Sequence, residues 1–286
     1  MLLNSVILVL REVLEAALMV SILLALTRHL NMQVRWLAFA LLLGIAAAAA
    51  YGFQLNRISD LFDGVGQEVV NAGLQYIVFL ALLVCMFLLA RSPQQGPAQR
   101  SLPAFMAIAV GVAVAREGAE ILIYVSGFIM AENFFLNVGI GSIIGACIGL
   151  SAGVLLYYLL LMQPVRPARI SVQILLSLIG AGMCAQATRL LIQADWLSIN
   201  GALWDTSSIL SERSIAGQLL YALIGYEASP SAIEVVIYAS SLLLMAAVFL
   251  SGRYLFPDRS ALSIGLRRFH RSVATRWFVL RYRYCS

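Results

Sequence analysis

Seven stretches of the chain are almost wholly apolar, at approximately 2–27, 35–55, 71–90, 103–131, 136–162, 170–193 and 231–256, and short breaks carrying Arg, Asp, Pro or Gly separate most of them. Roughly twenty consecutive apolar residues cross the ~30 Å hydrocarbon core of a bilayer. No water is available there, so the backbone must satisfy its own hydrogen bonds, and uninterrupted runs of this length do that only as helices. The pattern predicts an all-α polytopic membrane protein with seven transmembrane helices. The longest break, 195–230, mixes Trp204, Asp205, Ser207, Glu212 and Tyr226 with moderately apolar residues and is expected to form a structured cap on one face. In the fifth stretch Gly141, Gly145, Gly149 and Gly153 recur every four positions, a smooth stripe that permits close helix packing.

Composition agrees: of 286 residues 62% are hydrophobic and 12% charged, outside the range of soluble domains. The net charge of +5 is carried by Arg alone. Arg28, Arg35, Arg91, Arg100, Arg166, Arg169 and the Arg-rich residues from Arg253 onward fall on one side, fourteen arginines against the single acid Asp258. The opposite loops hold Asp60, Asp63, Glu68, Glu132, Asp195, Asp205, Glu212, Glu227 and Glu234, with Arg57 and Arg213. The excess therefore reads as positive-inside topology and not as a nucleic-acid surface, with the N-terminus out and the C-terminus in the cytoplasm. The tail 257–286 alternates Arg with aromatic and aliphatic residues, as suits a segment lying on anionic lipid. The first run lacks a basic leader and contains Arg11, Glu12 and Glu15, so it reads as a permanent helix. Cys85, Cys147, Cys184 and Cys285 show no metal or redox spacing and are expected to be inert, the first three buried in spans.

Aligned at an offset of 105 residues, REVLEAALMVSILLA from Arg11 lies over REGAEILIYVSGFIM from Arg116, identical at Arg, both Glu, Val and Ser. Two spans lie between the copies, and direction alternates from span to span, so the fourth helix runs antiparallel to the first. The expectation is an inverted repeat of three helices plus three, about 2–90 and about 103–193, followed by an outer segment at 195–230 and an added last helix at 231–256, all in one domain over 1–256. Transporters place substrate sites where such halves meet.

At ~1.5 Å per residue Glu12, Glu15, Glu117 and Glu120 all lie about 15 to 25 Å into their spans, and the i, i+3 spacing puts each pair on one helical face. Arg11 and Arg116 stand four residues before the second Glu of their own helix, within pairing reach. An ionised group at a helix centre facing lipid costs about 2.5 to 3.5 kcal/mol, so these six must face each other or water. Two ion pairs that merely locked the bundle would need one Glu per Arg. Four Glu to two Arg leave a surplus of two negative charges. A bound cation fits that surplus, and a proton-coupled carrier would also neutralise it. Oxygen-only ligands suit hard ions. The only histidines, His29 and His270, fall at or beyond the cytoplasmic boundary, which argues against di-iron enzymes of the ExxH kind and zinc hydrolases, and for a transporter rather than an enzyme.

The two motifs, REVLE and REGAE, in the first and fourth of seven spans, resemble the RExxE motifs of the oxidase-dependent iron permeases, a family that includes fungal high-affinity iron permeases and a bacterial iron-uptake branch. GQEVVNAGLQYIVFLALLVCMFLLAR is similar to the family's QE-containing start of the third span, and LWDTSSILSERSIAGQLLYALIGYEASPS to its segment before the last span. The resemblance implies import of ferric or ferrous iron across the bacterial inner membrane. Its ligands would be Glu12, Glu15, Glu117 and Glu120, oriented by Arg11 and Arg116, with Glu68, Asp205 and Glu212 as weaker candidates for a first docking point on the outer face. It also implies a ferroxidase or periplasmic iron-binding partner and no cofactor, iron being the cargo. A permease of the same build for another divalent ion, lead or manganese, is the neighbouring reading. The chain departs from the family pattern at Val13, where Gly is usual, and at Asn71, where an acid is expected after QE.

Overall fold

The computed structural model describes residues 2–91, 97–128, 132–198, 201–212 and 214–255. They form α1 (Leu2–His29), α2 (Arg35–Phe53), short α3 (Leu55–Ser59), a 3-10 turn (Leu61–Gly64), α4 (Gly66–Arg91), α5 (Pro97–Gly127), α6 (Glu132–Leu161), α7 (Val165–Gln193), α8 (Ile215–Ile224) and α9 (Ala232–Leu255). The described residues hold no named strand, only a single bridge between Ala202 and Ser231. The predicted all-helical class is what is found. The tail at 257–286, and the side chains of Arg91, Arg100, Arg166, Glu132 and Arg213 that entered the charge tally, lie outside what is described.

Five of these helices, α2, α4, α6, α7 and α9, contain windows long and apolar enough to cross a membrane. The other two long ones, α1 and α5, have 28 and 31 residues and break their apolar character at the repeated motif. Those two are the helices that packing protects: Glu12, Glu15, Arg116 and Glu117 are all buried.

Helix pairing crosses over between the two copies. α1 packs chiefly on α6, α5 chiefly on α2, and α4 on α7, with α9 laid against α7 and α4. The predicted glycine stripe is the seam of the first pair. A Cβ on Gly145 would lie 2.5 Å from the Val6 carbonyl oxygen and 2.9 Å from the Leu10 nitrogen, and one on Gly153 would lie 2.8 Å from the Ala17 Cβ. Opposite Gly149 stands Val13, whose Cγ1 would be 3.1 Å from an added Cβ, so this glycine accommodates the valine of the first motif. The α2–α5 pair has its own stripe, Ala40, Gly44 and Ala48 against Gly111 and Gly118; a Cβ on Gly44 would meet the Gly111 carbonyl oxygen at 2.8 Å. Where apolar lipid offers little drive to separate helices from it, such close backbone approach supplies the dispersion contacts that hold a bundle together.

The main core, with Met19, Ile22, Leu23, Leu26, Leu82, Met86, Met106 and Leu176 fully enclosed, fills the space around the part of α1 that follows the motif. Cys85 and Cys184 are buried in it as expected, whereas Cys147 is exposed on α6: Gly145 and Gly149 turn toward α1 and leave Cys147 facing outward.

The 195–230 segment is braced internally and partly enters the bundle. Tyr226 Oη pairs with Thr206 Oγ1 at 2.7 Å and donates to the Leu210 carbonyl at 3.0 Å, and Glu212 Oε1 accepts from the Ala228 amide at 2.7 Å. α8 starts at Ser214, whose hydroxyl accepts from the Gly217 amide at 3.0 Å, and ends at Gly225 in the left-handed region, φ 67°. Gly225 sits so close to Gly182 of α7 that a Cβ on Gly182 would lie 2.9 Å from its Cα. The buried face of α8, with Gln218 and Tyr221, rests against α1 and α7.

Candidate metal centre

The charged motifs of α1 and α5 meet in one cluster. Arg116 binds across it: Nη1 is 2.6 Å from Glu117 Oε1 and 3.6 Å from Glu15 Oε2, and Nη2 is 3.2 Å from Glu120 Oε1. Arg11 Nε lies 3.4 Å from Glu15 Oε1 and 3.9 Å from Glu12 Oε1. The i, i+4 pairs expected from spacing are therefore present, and the link from Arg116 to Glu15 ties one copy to the other.

One oxygen from each of Glu12, Glu117 and Glu120 lies within 4.8 Å of the others. Neighbouring oxygens on one hard cation stand about 3 Å apart, given metal–oxygen distances of about 2.1 Å, so these three would have to draw closer to share an ion. Glu12 Oε2 and Glu117 Oε2 are buried and without a hydrogen-bond partner. A buried carboxylate oxygen left unpaired is costly, and a cation between them removes that cost. Glu15 is held by both arginines, whereas Glu117 and Glu120 share Arg116 alone.

On the open side of the cluster Asn71 Nδ2 donates to Glu120 Oε1 at 3.4 Å. Glu68 stands one turn earlier on α4, half-buried. Thus Glu68, Asn71 and Glu120 form a polar line from the start of α4 to the carboxylates. Asp205 and Glu212 are engaged otherwise: Glu212 braces Ala228, and Asp205 accepts from the Ser207 hydroxyl and amide, which hold its carboxyl below the ordinary range. Two further acids of this face, Glu227 and Glu234, are also committed. Both pair with Arg189 of α7, the latter at 3.1 Å, and Glu234 with Ser231 forms a capping box at the start of α9. The spacing Ser231-x-x-Glu234 was a readable signal for that box. Nothing in the sequence pointed to Tyr221, whose ring centroid lies 4.2 Å from the Arg11 Cζ.

Span-length helices closed around a buried cluster of carboxylates and arginines define a polytopic membrane protein of the ion-handling class. The chain belongs to the Iron permease FTR1 family, whose model matches residues 2–262. It is 28% identical over 251 residues to the Ferrous iron permease EfeU of Escherichia coli O6:H1, covering 80% of this chain and 88% of the relative. To the protein of the same name from Escherichia coli O157:H7 it is 27% identical over 249 residues, covering 80% and 88%, and to that from Yersinia pestis 28% over 251 residues, covering 80% and 86%. No solved structure matches the chain at a significant level.

Proposed function

We propose that this protein imports ferrous iron across the bacterial inner membrane, with Glu12, Glu117 and Glu120 as the ion's ligands and Glu15 as the charge that anchors both arginines. The observation that carries the reading is the meeting of three carboxylates from the two motif copies in a cluster of four Glu and two Arg. Its surplus of two negative charges matches a divalent ion, and the relatives' name, ferrous iron permease, points the same way. Oxygen donors replace the hydration shell, and the buried setting strengthens each attraction.

In this reading α1, α2, α4, α5, α6, α7 and α9 are seven spans, N-terminus out and C-terminus in. The units α1–α2–α4 and α5–α6–α7 form the inverted repeat, and the crossed packing of α1 on α6 and α5 on α2 supports it. Residues 1–256 are the permease domain and 257–286 a basic tail on the cytoplasmic lipid surface. Iron(II) reaches the cluster along Glu68, Asn71 and Glu120, delivered by a periplasmic iron-binding partner. Release inward follows a change in how the two repeats pack.

The test is uptake of radioactive iron(II) by cells expressing Glu12→Gln, Glu117→Gln or Glu120→Gln at matched membrane levels. Each is expected to abolish saturable uptake, and three variants that transport normally would refute the assignment. Oxygen-only ligation also suits manganese; competition between iron(II) and manganese(II) in proteoliposomes decides which ion is preferred.

A further inference from the structure

The two motif arginines are equivalent in sequence but not in how they are held. Arg116 is buried and meets three carboxylates. Arg11 is 37% exposed, and it packs against the face of Tyr221, 4.2 Å from ring centroid to Cζ. Tyr221 comes from α8, which belongs to neither motif copy, and is itself only 8% exposed. Its position is fixed at both ends of its helix by the Ser214 cap and by the contact of Gly225 with Gly182.

Beside Arg11 lies Glu12, one carboxylate oxygen 3.9 Å from Nε and the other buried without a partner. A guanidinium free to turn closes on such a carboxylate, because a two-point Arg–carboxylate contact is among the stronger pairings available. That contact would consume Glu12, one of the three converging oxygens, and cancel part of the negative surplus. We propose that Tyr221 is a positioning residue: its ring face holds the Arg11 guanidinium on the Glu15 side and so keeps Glu12 free for the transported cation. The attraction involved is a cation–π contact between a partly exposed guanidinium and a buried ring, intermediate between the exposed and the desolvated cases. The inference rests on the proposed role of the carboxylates as ion ligands. It also gives the outer segment a part in the site, since whatever shifts α8 shifts Arg11.

The full-length protein in proteoliposomes, with iron(II) kept reduced by ascorbate, provides the measurement. Tyr221→Phe retains the ring face; Tyr221→Leu and Tyr221→Met fill the space without it. The expected result is a wild-type KM for Tyr221→Phe and a KM raised about tenfold for both aliphatic variants, the scale of one lost cation–π contact, with Vmax per inserted protein unchanged. A purely packing role for Tyr221 would instead lower Vmax through lost folded protein and leave KM alone. Wild-type KM in Tyr221→Leu or Tyr221→Met, or a Phe variant as impaired as they are, overturns the proposal while the carboxylate assignment stands. Absence of saturable uptake by the wild type overturns both.

Discussion

Arg116 is the side chain on which the cluster's stability turns. It is buried and reaches Glu15, Glu117 and Glu120; Arg11 also pairs with Glu15, so removing Arg116 strands Glu117 and Glu120. Losing one partner of a buried ion network typically costs about 3–5 kcal/mol. Arg116→Gln is expected to destabilise the detergent-purified protein by an amount of that order, read as a lower unfolding midpoint, and Arg116→Lys to recover only part of the loss, because an ammonium cannot span the carboxylates as a planar fork does. Thermal unfolding followed by circular dichroism checks both; a midpoint unchanged in Arg116→Gln would mean the cluster is held together some other way. A milder case lies at the start of α9, where Ser231 and Glu234 exchange backbone and side-chain hydrogen bonds. Ser231→Ala should cost about 1 kcal/mol and leave the KM for iron(II) at the wild-type value. At this scale the sequence yielded the contacts within a helix, since Arg11 to Glu15 and Arg116 to Glu120 follow from 3.6 residues per turn. The contact from Arg116 to Glu15 depends on how two distant helices are rotated about their axes, and no local spacing encodes that.

The seam between α1 and α6 shows what one methyl group decides at the level of a helix pair. An added Cβ at Gly145 would press on the Val6 oxygen and Leu10 nitrogen, both backbone atoms that cannot turn aside, whereas at Gly139 of the same helix it would meet nothing within 4 Å. Gly145→Ala is therefore expected to push α1 away from α6, misplace Glu12 and abolish uptake. Gly139→Ala should transport normally and gain about 0.5–1 kcal/mol from a less flexible helix backbone. Uptake by the two variants at matched expression separates the cases, and equal activity would show that the seam tolerates more separation than its distances imply. The stripe was legible because four glycines at a spacing of four stand out. Its partner was not, for an apolar helix offers many similar faces and the choice of α1 is settled only by the fit of the whole bundle. α8 was hidden for a related reason: ten residues are too few to span a bilayer, and a short amphipathic turn reads the same whether it caps a surface or, as here, turns Gln218 and Tyr221 into the interior.

For the molecule as a whole, two copies of one motif sit in unlike surroundings. The Glu15 side chain is 3% exposed and its counterpart Glu120 is 30% exposed. The difference extends along both helices: Leu18, Met19, Ile22 and Leu23 beyond the first motif are fully buried, while Ile123, Tyr124 and Phe128 at the equivalent positions beyond the second are only half-buried. In the proposed orientation the first set lies on the cytoplasmic side of the cluster and the second on the outer side, so the carboxylates are reachable from outside and sealed below by an apolar plug. A cation does not cross such a plug without losing its oxygen ligands; in the proposed mechanism, exchanging the environments of the two copies would open the lower side as it closes the upper. In a background with all four native cysteines replaced, Asn71→Cys should react with a membrane-impermeant thiol reagent added outside, and iron(II) should slow the reaction by occupying the neighbouring cluster. Met19→Cys should be inert from outside and become reactive from the cytoplasmic side only while iron is being transported. Reactivity of Met19→Cys from outside would place the cluster in a continuous pore, and the exchange of repeat environments would then have no part in transport.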